Sequence, residues 1–148
     1  MALLAKGIWV VVADGEKVII LENVGDTRKP DLHQIEHLEA AAFVVASDRP
    51  GRMADPGPKQ RSAMEQPDFA RLAAENMVRD LVGRLGRHVT SGACTQLVLA
   101  APPQVLGAIR AAMDPGLRAH VLAELPKTLT KHPLPKIADL IAEALDAV

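Results

Sequence analysis

The chain has 148 residues, of which 49% are hydrophobic and 2% aromatic, and its formal net charge is −1. A chain of this length typically folds as one domain, so we predict a single domain over residues 1–148. With one Trp and two Phe, its core must be built from aliphatic side chains, and it lacks the aromatic platforms of an RNA-recognition sheet. The single cysteine excludes a disulfide framework, and no run approaches the roughly 18 apolar residues of a membrane span.

The charge is uneven along the chain. Residues 1–48 carry four Lys or Arg against eight Asp or Glu, a net charge of −4. Residues 49–136 carry thirteen against seven, a net charge of +6. A basic middle section indicates an anionic partner for one face, although solvated surface charge explains it equally well.

The first predicted elements form a hairpin. The apolar run Ile8–Ala13 is typical of a buried strand rather than a signal peptide, so we predict a cytoplasmic protein. Asp14-Gly15 predicts a positive-φ turn before a returning strand at Val18–Leu21. Residues 23–34 are predicted to be a loop. Ala40–Ala46 is predicted to be a third strand, although its alanines are also compatible with a helix.

The next segment, residues 47–66, is predicted to be an exposed loop. It contains three prolines, two glycines and four cations, a composition that cannot bury enough apolar surface to order itself. A helix is predicted to start at Pro67-Asp68, with an apolar stripe at three- and four-residue spacing, and to end between Gly86 and Gly92. Its stripe comprises Phe69, Leu72, Ala73, Met77, Leu81, Val82 and Leu85.

The remaining segments alternate between strand and helix. Gln96–Ala100 is a predicted strand, Pro102-Pro103 opens a helix, Leu117–Leu125 is predicted as one helical turn followed by a strand, and Pro133–Val148 is a helix. The order is β-β-β-α-β-α-β-α. This order predicts an α/β fold with a mixed sheet of about five strands and helices on its faces.

Sequence motifs for catalysis or metal binding are weak. His33, Glu36 and His37 resemble a reordered zinc motif but lack a glutamate directly after the first histidine, so we predict no metal site. The glycines do not match a phosphate-binding loop, and no serine occupies a nucleophile elbow. Cys94 precedes an apolar strand and is predicted to be a buried thiol. We therefore expect no cofactor and no catalytic residue, which makes an enzyme the less favoured interpretation.

The cations of the predicted loop are the best candidates for a binding site. Arginine forms bidentate contacts to phosphate, and a Gly/Pro-rich loop can carry such side chains into a groove. A second cationic stretch near the C-terminus contains no acid and would join this surface if the fold brings the two together. The predicted anion-binding residues are Arg49, Arg52, Lys59, Gln60, Arg61, Lys127 and Lys131.

Several short motifs together resemble the bacterial host attachment protein family, named for proteins required for attachment to host cells. They are Ser47–Arg52, Arg61–Glu65, the helix at Phe69, Leu97–Pro103 and Asp114–Arg118. That family is in turn similar to the middle domain of archaeal and eukaryotic peptide-chain release factors, which implies an RNase H-like mixed sheet. The resemblance places Pro58–Ala63 where release factors carry a Gly-Gly-Gln tip. Gln60 matches the glutamine, whereas both glycines are missing.

We therefore predict a protein that is not an enzyme and that binds an RNA-containing or other anionic partner, such as the ribosome or tRNA, through the 47–66 loop, with no DNA or membrane partner. One alternative is an interaction protein that acts indirectly in attachment to host cells. Another is a hydrolase of peptidyl-tRNA or other esters in which Gln60 positions the attacking water, as the release-factor resemblance implies.

Overall fold

The computed structural model describes residues 3–43 and 58–147, with side chains for all of these except 58–68. The strands are β1 Trp9–Ala13, β2 Lys17–Asn23, β3 Leu32–Glu39, β4 Leu97–Ala100 and β5 Val121–Leu125. The α-helices are α1 Pro58–Thr90, α2 Pro103–Ala112, α3 Pro115–Arg118 and α4 Leu134–Asp146, and a 3-10 turn spans Ala40–Phe43. No helix in these ranges is long and apolar enough to cross a bilayer.

The five strands form one mixed sheet in the order β3-β2-β1-β4-β5. β1 pairs antiparallel with β2 and parallel with β4, while β3 is antiparallel to β2 and β5 is parallel to β4. Every residue of β1 is buried because the strand is central and covered on both faces, which explains its run of three valines. The predicted α/β class with five strands and helices on the sheet is confirmed.

Successive residues of β1 point to opposite faces of the sheet and so separate two hydrophobic cores. Trp9 and Val11 belong to the core formed with α1, α2 and α3, whereas Val10 and Val12 belong to the core formed with α4. The described residues therefore form three layers, with α1, α2 and α3 on one face of the sheet and α4 on the other. Trp9 is the one aromatic side chain among the buried residues of these cores, and most of the others are aliphatic, as the composition requires.

The structure corrects the third predicted strand. β3 covers Leu32–Glu39, so its first three residues lie in the segment predicted as a loop, and Ala40–Phe43 forms a 3-10 turn instead of a strand. The rest of the predicted strand, residues 44–46, lies outside the described residues. The polar sequence of β3 is the reason, because β3 is an edge strand whose five residues at 33–37 are all at least partly exposed. Alanine has a low strand propensity, which fits the turn that follows.

The start of the long helix is also corrected. α1 begins at Pro58, nine residues before the predicted start at Pro67, so residues 58–66 of the predicted loop are helical. Pro58 occupies the first helical position, where a missing N–H costs nothing. The rest of the predicted loop, residues 47–57, lies outside the described residues.

The β1–β2 turn is built differently from the prediction. Gly7 and Gly92 are the glycines with positive φ among the described residues, and Gly15 does not belong to them. The turn is instead held by the Asp14 side chain, whose Oδ1 accepts hydrogen bonds from the backbone N–H groups of Glu16 at 2.7 Å and Lys17 at 2.8 Å. An aspartate that binds the amides two and three residues ahead stabilises a turn without unusual backbone angles.

Candidate functional site

A surface cavity lies where β1 ends, between the β1–β2 turn and the side of α1. Its volume is about 470 Å³. One wall comes from the turn, a second from the residues around the 3-10 turn, a third from α1, and one residue from the segment before α4. The lining residues are Asp14, Gly15, Glu16, Lys17, Glu39, Ala40, Ala41, Phe69, Ala70, Ala73 and Lys131. In open α/β sheets, ligands bind beyond the carboxyl ends of the parallel strands, and this cavity occupies such a position.

Asp14 holds two walls of the cavity together. Its Oδ2 accepts a hydrogen bond of 2.6 Å from the hydroxyl of Thr130, which is 4% exposed and precedes Lys131. Burial acts to raise the pKa of Asp14, but the hydrogen bonds from Thr130 and from the amides of Glu16 and Lys17 outweigh burial and lower that pKa. Asp14 is therefore an anion with both oxygens occupied, and its role at the cavity is structural.

Charges of both signs surround the cavity, with three carboxylates including that of Asp14 against two ammonium groups. Glu16 and Glu39 contribute two carboxylates, and Lys17 and Lys131 contribute two ammonium groups. Within the part of the chain that the structure describes, Lys131 forms no hydrogen bond or ion pair. A site with both signs of charge beside an apolar wall fits a ligand with polar groups of both kinds better than a bare polyanion.

A second group of charged residues links β3 to α1. Arg84 donates a hydrogen bond to Glu36 through Nη1 and another to Asp80 through Nε at 2.5 Å, and His88 Nε2 lies 2.7 Å from Glu36 Oε2. The hydrogen bond from His88 lowers the pKa of Glu36, and Arg84 adds to this effect against the opposing effect of burial. Sequence reasoning missed this group, although Asp80, Arg84 and His88 recur every four residues on α1.

His88 also contacts the only tryptophan. The ring centroids of Trp9 and His88 are 4.8 Å apart with an angle of 53° between the ring planes. Trp9 is 3% exposed, and its indole N–H has no hydrogen-bond partner among the described residues. The group of Glu36, Arg84 and His88 thus covers one end of the core and fixes the position of α1 against the sheet.

The histidines of the reordered zinc motif do not come together. His33 pairs with Asp31 at 3.2 Å, His37 pairs with Glu39 at 3.6 Å, and Glu36 faces His88 instead of either. Each of these pairs lies at the surface of β3. Their arrangement is that of separate surface contacts, each between one histidine and one carboxylate.

The sequence of the chain matches a family model over residues 7–141, a range that contains all five strands and nearly all of the described helices. The chain belongs to bacterial archaeo-eukaryotic release factor family 12. Membership of this family confirms the release-factor part of the sequence resemblance. This match does not test the resemblance to the host attachment family, which stays a prediction.

Comparison with solved structures finds a similar chain at low sequence identity. The chain is similar to the crystal structure of archaeal translation termination factor aRF1, with a TM-score of 0.45 and 13% sequence identity. The match covers 95% of this chain and 39% of the aRF1 chain, so the present chain spans well under half the length of the archaeal factor. No curated protein matches the sequence.

The predicted anion-binding residues of this family member fall into three groups. Arg49 and Arg52 lie outside the described residues, and Lys59, Gln60 and Arg61 lie in the first turn of α1, where the structure describes the backbone alone. Lys127 and Lys131 are exposed and lie between β5 and α4. Lys131 lines the same cavity as Phe69 and Ala70 of α1, so the second cationic stretch does reach the side of the helix that follows the predicted site.

Cys94 is buried, as predicted for this position before β4. It is 1% exposed, and its Sγ lies 3.7 Å from the carbonyl oxygen of Gln96. Burial, followed by the negative charge of Glu22, raises the pKa of the thiol to about 11. A thiol with that pKa is protonated at neutral pH and is a poor nucleophile.

Proposed function

We propose that this member of the release-factor family is a non-enzymatic binding protein whose partner contains RNA, either the ribosome or tRNA, in the cytoplasm. The 47–66 segment supplies most of the contacts, and the loop before α4 supplies the rest. The observation that supports this proposal most directly is that Lys131 lines the same cavity as Phe69 and Ala70 of α1. The proposed contact residues are Arg49, Arg52, Lys59, Gln60, Arg61, Lys127 and Lys131.

The geometry of α1 supports a single contact surface. A helix rises 1.5 Å per residue, so the backbone at Arg61 lies roughly 12 Å along the helix from Phe69. Lys131 reaches the helix at Phe69, and Lys127 lies four residues before Lys131 on the same exposed segment. Cations distributed over such a distance match the spacing of several successive phosphates, and each contact to RNA releases counterions.

Binding to purified ribosomes and to tRNA tests the proposal. We expect affinity to fall steeply between 50 and 200 mM salt, with a slope of log affinity against log salt of about −0.7 for each phosphate contact on single strands. A variant with alanine at Arg49, Arg52, Lys59 and Arg61 should bind more weakly and have a slope smaller in magnitude by about 3, because four contacts are lost.

The matched control removes the same amount of charge from other surfaces. Four exposed cations distant in sequence from the proposed site serve this purpose, namely Lys6, Arg28, Lys29 and Arg87. If the control variant and the site variant lose affinity equally, general charge attraction accounts for binding and the proposed site is wrong. Equal binding by wild type and the site variant leads to the same conclusion.

The non-enzymatic part of the proposal has its own test. Incubation of the protein with peptidyl-tRNA, with and without ribosomes, should give no release above the uncatalysed rate. Release that disappears in Gln60→Ala but persists in Gln34→Ala, a glutamine on the exposed face of β3, would overturn it.

A further inference from the structure

Phe69 differs from the other aromatic residues of the chain because it belongs to neither of the hydrophobic cores formed by the described residues. Trp9 is a core residue, and Phe43 packs against the same core. Phe69 is partly exposed and lines the 470 Å³ cavity. A partly exposed phenyl ring that faces a cavity instead of a core offers a flat apolar surface to a ligand.

The surroundings of Phe69 are small and mostly apolar. The four alanines of the cavity, at 40, 41, 70 and 73, leave a space beside the ring that larger side chains would fill. Ala40 and Ala73 are buried, so they form the floor, while Ala41 and Ala70 are exposed at its edge. Alanine methyl groups beside an aromatic ring form a slot suited to another flat ring.

The polar groups at the rim determine which flat ring fits. Glu16 and Glu39 accept hydrogen bonds and suit ring N–H or exocyclic amino groups, whereas Lys17 and Lys131 suit a phosphate. Asp14 has less capacity left for a ligand, because its two oxygens already accept three hydrogen bonds within the protein. One flat ring with donors and one phosphate matches this balance, whereas a ligand with several phosphates and no base does not.

We infer that the cavity between Phe69 and Lys131 binds one ribonucleoside monophosphate unit, with its base against the Phe69 ring and its phosphate toward Lys17 and Lys131. This unit is either a free nucleotide or one unstacked residue of an RNA chain. Binding of an unstacked residue of an RNA chain rests on the proposed function. Proteins commonly hold single unstacked bases of RNA against an aromatic side chain.

Titration with the four ribonucleoside 5′-monophosphates, followed by amide chemical shifts, tests this inference. We expect shifts at Gly15, Ala41 and Ala70, which line the cavity, and none at Gly83 or Gly86 in the groove on the far part of α1. Adenosine, which lacks the phosphate, should bind more weakly than its monophosphate.

Two pairs of variants separate the ring from the phosphate contact. Phe69→Ala should weaken monophosphate binding about tenfold, as expected for the loss of one stacked base, and Phe69→Trp should restore it. Leu72→Ala, which removes a 38% exposed side chain from the same helix, should have no effect. Lys131→Ala should reduce the preference for the monophosphate over the nucleoside, and Lys29→Ala should leave that preference unchanged, because Lys29 is exposed and does not line the cavity.

The outcomes distinguish this inference from the proposed function. If the protein binds a monophosphate but does not bind RNA, the nucleotide site is supported and its ligand is a free nucleotide. The same result refutes the proposed function. RNA binding that Phe69→Ala leaves intact, with no cavity shifts up to 10 mM monophosphate, overturns the inference and leaves the proposed function standing. Equal loss in Phe69→Ala and Leu72→Ala also overturns it, because a general loss of apolar surface then explains both.

Discussion

The hydrogen bond between Asp14 and Thr130 connects residues 116 positions apart and should contribute measurably to stability. Replacement of Asp14 by alanine removes three hydrogen bonds to a carboxylate, two in the β1–β2 turn and one from the Thr130 hydroxyl. Thr130 is 4% exposed, so its hydroxyl loses its acceptor in a place where water reaches it poorly. The fold itself keeps the β1–β2 turn and the loop before α4 close together, so the Thr130 hydroxyl cannot easily move out to bind water instead.

Asp26 provides an internal reference for the size of this effect. Its Oδ1 accepts hydrogen bonds from the amides of Arg28 at 3.0 Å and Lys29 at 2.8 Å, in the same pattern as Asp14. The Asp26 turn is exposed and has no partner equivalent to Thr130. Asp26→Ala should cost about 1 kcal/mol of the free energy of unfolding, as for the loss of a helix-cap hydrogen bond.

Asp14→Ala should cost about 3 kcal/mol. The turn contributes about 1 kcal/mol, as at Asp26, and the unsatisfied Thr130 hydroxyl adds about 2 kcal/mol. Thr130→Val alone should cost about 1.5 kcal/mol, because it removes a hydrogen bond to a charged group but leaves no buried hydroxyl. In the double variant the cost of the unsatisfied hydroxyl disappears, so the double variant should cost about 2.5 kcal/mol and the double-mutant cycle should give a coupling of about 2 kcal/mol.

Urea unfolding followed by circular dichroism measures these differences at pH 7. Because the pKa of Asp14 is lowered by folding, its contribution is present above the unfolded-state pKa of about 4 and is lost as the pH falls through the folded-state pKa. The difference in the free energy of unfolding between wild type and Asp14→Ala should therefore become smaller below about pH 4. A cost for Asp14→Ala no larger than for Asp26→Ala, or a coupling near zero, would refute the role assigned to Thr130.

Three further predictions concern other parts of the fold. Glu36→Gln should lower the free energy of unfolding by about 1–2 kcal/mol at pH 7, and the difference should shrink below about pH 4, because the carboxylate with the lowered pKa is then protonated. Cys94 should react with iodoacetamide at pH 8 about 100-fold more slowly in the native protein than in urea, as measured by mass spectrometry, because its thiol is protonated and buried. Gly25→Ala should lower the melting temperature, whereas Gly15→Ala should not, because a methyl group at Gly25 would overlap the Lys29 carbonyl oxygen and one at Gly15 meets no atom.

Periodicity was sufficient to predict the parts of the fold that are buried. β1 was predictable because a central strand covered on both faces has a continuous apolar sequence. The part of α1 from Ala73 to Leu85 was predictable because its inward side chains recur at helical spacing. The same pattern failed at Leu72, which is 38% exposed, because the helix extends beyond the edge of its core there.

The elements that were mispredicted are those on which burial acts least. β3 is an edge strand with His33, Gln34 and His37 exposed, so its sequence resembles that of a loop, and its conformation depends on hydrogen bonds to β2. The Asp14–Thr130 hydrogen bond was unpredictable for a different reason. It requires knowing that the turn after β1 and the loop before α4 lie at the same end of the sheet, which no local pattern reveals.

The scarcity of aromatic residues gives Phe69 its significance. In a protein with many aromatic side chains, one partly exposed phenyl ring would be ordinary. Here neither core of the described residues includes it, since Trp9 and Phe43 account for the aromatic contribution to one core and aliphatic side chains form the other. A ring that no core requires, set among four alanines and between carboxylates and ammonium groups, is better explained by a ligand than by stability. For this reason Phe69→Ala should cost little of the free energy of unfolding, whereas a core substitution such as Leu81→Ala should cost about 3 kcal/mol. Equal costs for the two would mean that Phe69 is a packing residue and would remove the argument for the nucleotide site.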